Sequence, residues 1–277
     1  MYMIEWKNIL RGMAMGASDV IPGVSGGTLA LILGIYYRLL SAISLLFSRQ
    51  WKQQLGFLIP LGVGMGAAIL SLAHLLEWLL AEHPQPTFFF FFGLILGTIP
   101  FILYKVNYKT NFKKNHYVIL LLAAVIVLLS GLFQGDEETA VIATGSAGSF
   151  AILFFSGWLA STAMILPGIS GSFVLVIIGV YQTVINALTE LNLPVLFTFG
   201  VGVLVGIAIM SKLLRYMLHA HTVGTYAVIT GLLVGSLYVI FPGLNDGVIA
   251  FVVSLVTFVT GLGLALFLGR IDRTRAV

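Results

Sequence analysis

Long stretches of this 277-residue chain carry no charge, and that limits what it can fold into. Hydrophobic residues make up 59% of it and charged residues only 9%, against about 25% charged in soluble domains. Apolar runs of ~20 residues match the ~30 Å hydrocarbon core of a bilayer. In that core every backbone N–H and C=O must find a partner inside the protein, so only helices and closed barrels span it. Continuous runs, rather than strict alternation, select helices. The segments read as a short run at 9–21, a second at 28–47, and full-length candidates at 56–80, 87–104 and 117–133. After a polar loop come 148–166, 172–189, 195–218, 223–241 and 247–268. The start, "MYMIEWKNILRGMAMG", has no small-residue cleavage site, so the first segment is expected to stay in the protein.

Two of these runs break in nearly the same words: "SDVIPGVSGGTLALILGIY" at 18–36 and "AMILPGISGSFVLVIIGVY" at 163–181. At a shift of 145, Gly12 aligns with Gly157, Pro22 with Pro167, Gly23 with Gly168, Ser25 with Ser170, Gly26 with Gly171, Gly34 with Gly179 and Tyr36 with Tyr181. At a shift of 138, Gly62 aligns with Gly200, His83 with His221, Thr87 with Thr225, Gly93 with Gly231 and Gly97 with Gly235. Each half reads as one broken hairpin plus three spans, an odd number of crossings, so the second half sits upside down in the bilayer. The expected fold is an all-α polytopic membrane protein, one transmembrane domain over 1–277 with an inverted-topology repeat (5–133 and 148–268). It has two re-entrant broken-helix hairpins and about six full transmembrane helices.

Charge sets the orientation. With each broken pair as a hairpin, all 14 Lys and Arg fall on one face, the cytoplasmic one by the positive-inside rule, and both termini lie there. Glu77, Glu82, Asp136, Glu137, Glu138, Glu190 and Asp246 fall on the other. The basic pI of about 9.3 is therefore a topology signal spread along short loops, not a nucleic-acid patch. With no cysteine, disulfides, thiol nucleophiles and thiolate metal sites are excluded. No metal-ligand spacing and no cofactor motif occurs; His74 and His83 read as structural.

The breaks carry the chemistry. Pro22 and Pro167 cannot continue a helix, and Gly23 and Gly168 permit the turn. Ser25-Gly26-Gly27-Thr28 and Ser170-Gly171-Ser172 then start new helices, whose first N–H groups are free and whose dipole is positive. Such a start is an anion site. Broken segments at matching positions of inverted halves point to a transporter's binding site, so the expectation is two half-sites for one anion.

At these residues the chain resembles the bacterial polyprenyl-phosphate transporter family, through "RGMAMGASDVIPGVSGGTLALILGIY" and "LPGISGSFVLVIIGVY", over nearly its whole length. The resemblance implies return of undecaprenyl phosphate, the carrier lipid of cell-wall synthesis, from the outer to the inner leaflet of the cytoplasmic membrane. It implies Ser18, Asp19, Pro22, Gly23, Ser25, Gly26, Gly27, Pro167, Gly168, Ser170 and Gly171 as site positions. A weaker likeness links PGxS to the undecaprenyl-diphosphate phosphatases. Their motif continues with an arginine where this chain has Gly26 and Gly171, and no Glu-x-x-x-Glu is present. A site able to hold a lipid phosphate and poorly equipped to cleave one is expected.

Asp19 lies eight residues past Arg11, roughly 12 Å into the bilayer at helical rise. A charge there costs at least ~2.5 kcal/mol, so it is expected to work with a partner or a proton. Its repeat counterpart is Met164. Three roles stay open: proton carrier, salt bridge to Arg11, Arg38, Lys212 or Arg215, or cap of the next helix. Gly62/Gly66, Gly93/Gly97, Gly200/Gly202/Gly206 and Gly231/Gly235 read as close helix packing. The "FFFFF" at 88–92 reads as a lipid-facing or core run, or as a wall for the lipid tail. A small-anion channel or exchanger and a membrane phosphatase are the rival classes, and the sequence leaves the oligomeric state open.

Overall fold

The computed structural model describes residues 4–19, 24–132, 146–244 and 247–275, without the side chains of 73, 74, 76, 77, 132, 147, 173 and 271–275. Pro22, Gly23, Asp136, Glu137, Glu138 and Asp246, and the side chains of His74 and Glu77, lie outside the described residues. The first half holds α1 (Lys7–Asp19), α2 (Gly26–Ile32), α3 (Tyr36–Leu46), α4 (Trp51–Glu82), α5 (Pro84–Lys105), α6 (Tyr108–Asn111) and α7 (Lys114–Leu132). The second holds α8 (Ala147–Ile165), α9 (Gly171–Ile178), α10 (Tyr181–Thr189), α11 (Leu193–Ala220), α12 (Thr222–Ile240) and α13 (Gly247–Arg275).

Among the described residues, seven helices are long and apolar enough to cross a membrane. Six are the expected spans. The seventh is α8, expected as the first arm of a hairpin, whereas its counterpart α1 has only 13 residues. The chain is a multi-pass, all-helical membrane protein.

The runs at 28–47 and 172–189 are not the continuous helices expected. Each breaks a second time at its glycine: Gly34 (φ 70°) and Gly179 (φ 80°) are left-handed. The Gly34 N–H donates to Leu31 C=O at 3.0 Å and the Ile35 N–H to Ala30 C=O at 2.9 Å. The bonds from Gly179 to Val176 and from Val180 to Leu175 repeat the pattern at 2.9 and 3.0 Å. This glycine-terminated closure satisfies the last carbonyls of α2 and α9. A helical apolar run simply continues through such a position, which is why periodicity misses it.

Helix pairing follows the repeat order. The broken-helix arm packs on the first span of its own half, α1 on α4 and α8 on α11. The last span of each half crosses over to the other: α13 packs on α5, and α7 on α12. Glycines set the approach at all four contacts. A Cβ on Gly12 or Gly64 would overlap the backbone across α1–α4, on Gly202 or Gly206 across α8–α11, on Gly93 or Gly261 across α5–α13, and on Gly231 across α12–α7. The reading of small residues as packing faces needs one correction: Gly62, Gly66 and Gly200 have nothing within 4 Å. The glycine two residues away, Gly64 or Gly202, faces the neighbour, and a two-residue step turns ~200° around a helix.

His83 and His221 sit at matching sharp turns, between α4 and α5 and between α11 and α12. The Thr87 hydroxyl donates to His83 C=O at 2.7 Å and the Thr225 hydroxyl to His221 C=O at 2.9 Å, closing both corners alike.

The halves are not equally engaged. Residues of α2 and α3 belong to the main apolar core, with Phe91, Leu94, Leu214, Leu218 and Leu233 from α5, α11 and α12. The counterparts α9 and α10 contribute to smaller clusters with α8 and α11. α3 also packs on α11, while among the described residues the aligned pair, α10 and α4, share no comparable interface.

Candidate functional site

Both breaks converge. The residue before Pro167 is forced out of helical geometry, and Leu166 is accordingly extended (φ −75°, ψ 128°), ending α8. Gly168 follows at φ 86°, and a Cβ there would stand 2.8 Å from the Leu232 carbonyl oxygen of α12. Conformation and space both demand glycine. Its N–H donates to Thr28 Oγ1 at 3.2 Å, so the second motif is bonded directly to the first. A second cross-repeat bond runs from the Tyr36 hydroxyl to the Ile165 carbonyl at 3.0 Å, covering the frayed end of α8.

Beside these bonds lies a cavity of about 300 Å³, walled by Asp19 and Ser25 from the first motif, Ser170, Gly171 and Ser172 from the second, and Ser161 of α8. Gly26 and Gly27 line a smaller cavity of about 160 Å³ with Asp19, Tyr36 and Ser161. Thr28 is fully buried at the contact between the motifs. Ser18 donates to its own helix at Met15 C=O, 2.7 Å.

The two helix starts differ. In α2 the Gly26 N–H donates to Asp19 Oδ1 at 2.6 Å and the Gly27 N–H to Ser25 Oγ at 3.1 Å. The Thr28 N–H donates to the Ser25 carbonyl at 2.8 Å. The first turn of α2 is thus capped by its own neighbours. In α9 the cap residue Ser170 makes, among the described residues, no side-chain cap bond to a backbone N–H of the helix; its hydroxyl pairs with that of Ser172 at 2.8 Å. The first N–H groups of a helix have no acceptor within it, so the donors of α9 are those open to the cavity. Asp19, matched only by Met164 in the other half, makes this difference.

Of the three roles open for Asp19, the geometry displays the cap. The four basic residues point elsewhere. Arg11 donates to Asn8 Oδ1 at 2.8 Å, and Arg38 donates to Gln54 Oε1 at 2.6 Å while lying over the Phe57 ring. Arg215 donates to Ser44 Oγ at 2.9 Å, and with Lys212 it lines a separate cavity between α3 and α11. A Cβ on Gly26 would stand 2.8 Å from both Asp19 carboxylate oxygens, and one on Gly171 would stand 2.8 Å from the Ala160 carbonyl. These glycines seat a carboxylate and a helix.

Sequence reasoning missed Ser161, buried and facing both cavities. Counting back from the break by helical steps, Met164, Ser161 and Ala160 share one face, and that was the available signal. The phenylalanine run divides: Phe89 and Phe92 meet Phe241 edge to face, while Phe90 and Phe91 wall an apolar cavity of about 790 Å³ between α4, α5 and α13. Among the described residues no group of three or more His, Asp or Glu is placed to hold a metal.

An interlocked helical bundle whose two broken helices meet at a shared cavity is the architecture of a membrane transporter. The chain belongs to the undecaprenyl phosphate translocase-like family, whose sequence profile matches residues 15–255. It is 45% identical over 278 residues, 98% of each chain, to a polyprenyl-phosphate transporter of Staphylococcus aureus. It is 38% identical over 248 residues to a polyprenyl-phosphate transporter of Vibrio cholerae, covering 84% of this chain and 76% of that one. These relatives are transporters, which places the chain with transport rather than catalysis. No solved structure gives a significant match.

Proposed function

We propose that the protein carries polyprenyl phosphate, in particular undecaprenyl phosphate, from the outer to the inner leaflet of the bacterial cytoplasmic membrane, returning the carrier lipid to cell-wall synthesis, with its termini in the cytoplasm. The observation that carries this reading is the serine-bearing cavity where both motifs meet, faced by the start of α9. Ser170, Gly171 and Ser172 offer N–H and hydroxyl donors to a phosphate there. Ser25 forms the facing wall with Asp19, Gly26, Gly27 and Thr28 build the helix start behind it, and Pro167 and Gly168 hold the loop in place. The substrate class is that of the two relatives.

Moving a phosphate inward works against a negative-inside potential by ~2.3 kcal/mol per charge per 100 mV. Co-transported protons offset that, and Asp19 is the carrier. As carboxylate it holds the Gly26 N–H and repels a phosphate in the same cavity; protonated, it drops the repulsion and loosens its hold. The unequal packing of α3 on α11 and α10 on α4 is one half of an alternating-access cycle. Exchanging the two contacts closes one face and opens the other.

The test is leaflet-resolved translocation of undecaprenyl phosphate in proteoliposomes with an imposed pH gradient. Net movement should follow the gradient and stop when it is collapsed. Flux of a small anion with no effect of the lipid would overturn the substrate; lipid movement indifferent to the gradient would overturn the coupling.

A further inference from the structure

A second cavity, of about 560 Å³, opens between α3 and α11 and is built from both halves of the chain. From α11 come Lys212, Arg215 and His219; from α3 come Tyr37 and the Ser44 hydroxyl. Among the described residues no carboxylate lines it. Arg215 is half-buried, and among the described residues its one hydrogen bond is to the neutral Ser44 oxygen at 2.9 Å. A guanidinium presents five donors in a fixed fork that fits phosphate, so most of that fork is unspent. Phe47 and Tyr216, 49% and 61% exposed, also line it.

Two bland explanations fail. Cations at a helix C-terminus answer its dipole within the last turn, but Lys212 and Arg215 lie eight and five residues before Ala220. The positive-inside rule puts Lys and Arg on this face, but it asks only for charge near the interface and not for a cavity shared with the Ser44 hydroxyl. At the same shift of 138 the other half has His74, Glu77 and Ala81 where α11 has Lys212, Arg215 and His219. Arginine on one face and glutamate on the other gives the pair of faces a direction.

We infer that the α3–α11 cavity is a separate site for a lipid phosphate monoester, on the face that the basic residues assign to the cytoplasm, where the carried headgroup arrives after leaving the cavity between the motifs. This rests on the proposed substrate class. A monoester, with up to two charges, suits a Lys–Arg pair better than the single charge of bulk phosphodiester lipids.

Phe47→Cys gives one cysteine in a chain that has none, and a nitroxide there broadens the ³¹P signal of any phosphate bound in this cavity. In nanodiscs, undecaprenyl phosphate should be broadened strongly. Lys212→Gln, exposed and neutral to folding, should weaken apparent affinity about threefold, and Lys212→Gln/Arg215→Gln at least tenfold, while lipid bound between the motifs persists in total binding. Phosphatidylglycerol should broaden far less at equal mole fraction, and inorganic phosphate should not displace the lipid. Equal broadening by phosphatidylglycerol would overturn monoester selectivity; displacement by inorganic phosphate would overturn the lipid assignment. Total binding intact with a silent nitroxide would overturn this site alone. Absence of undecaprenyl phosphate binding altogether would overturn both this site and the substrate class beneath it.

Discussion

At the scale of single residues, Asp19 separates coupling from support. Asp19→Asn keeps an oxygen to accept the Gly26 N–H, so the cap on α2 survives and expression should match wild type. The variant should exchange lipid phosphate down a concentration gradient but lose net movement driven by a pH gradient; gradient-driven uptake at the wild-type rate would remove Asp19 as carrier. Asp19→Ala removes the cap too and should cost about 1 kcal/mol of stability, read as a lower melting temperature in detergent. At the other helix start, Ser170→Ala and Ser172→Ala should each weaken lipid-phosphate binding only slightly, because backbone N–H groups remain. The pair together should cost tenfold or more, since hydrogen bonds to a charged phosphate are worth ~1.5–3 kcal/mol each and the backbone N–H groups make up only part of the loss. Wild-type binding by the double variant would leave the open start of α9 without a role.

At the scale of helices, glycine spacing makes a sharp forecast. Gly200 and Gly202 are two residues apart on α11, yet a side chain at Gly200 meets nothing and one at Gly202 meets the Phe154 backbone of α8. Gly200→Leu should fold and transport nearly as wild type, whereas Gly202→Leu should lose roughly 1–3 kcal/mol or more through overpacking, seen as a drop in thermal stability. Equal melting temperatures would mean that α8 and α11 do not approach as closely as described. The sequence alone showed that such glycines exist but not which of two alternating ones faces the partner, because both rows look the same until the neighbour is placed. The spans, the two motif breaks and the cavity-forming serines Ser25, Ser170 and Ser172 were legible because proline, charge and length leave few alternatives in lipid. The second breaks at Gly34 and Gly179 were hidden inside runs as apolar as any helix. The capping of α2 by Asp19 was legible only as one of three options, since a carboxylate seven residues before Gly26 reaches it only once the loop is folded.

At the scale of the whole molecule, the two halves share one plan but not one set of contacts. Among the described residues α3 packs on α11 while α10 and α4 share no comparable interface, so the two sides of the pseudo-symmetry are packed unequally. If alternating access is the exchange of these contacts, preventing α3 from leaving α11 should stop transport without unfolding the protein. Ser44 and Arg215 touch across that interface; cysteines at both positions, in a chain with no others, can be joined by a short bis-maleimide. The same variant before cross-linking is the reference, since losing Arg215 itself lowers activity. Cross-linking should abolish the remaining translocation while lipid phosphate still binds at the cavity between the motifs, because that cavity does not depend on α3 moving. The same variant capped with a monofunctional maleimide should keep the activity it had before cross-linking, which separates bulk at the interface from a tie across it. Undiminished translocation with α3 and α11 joined would mean that the packing difference between the halves is fixed, and that lipid crosses without the two contacts ever being exchanged.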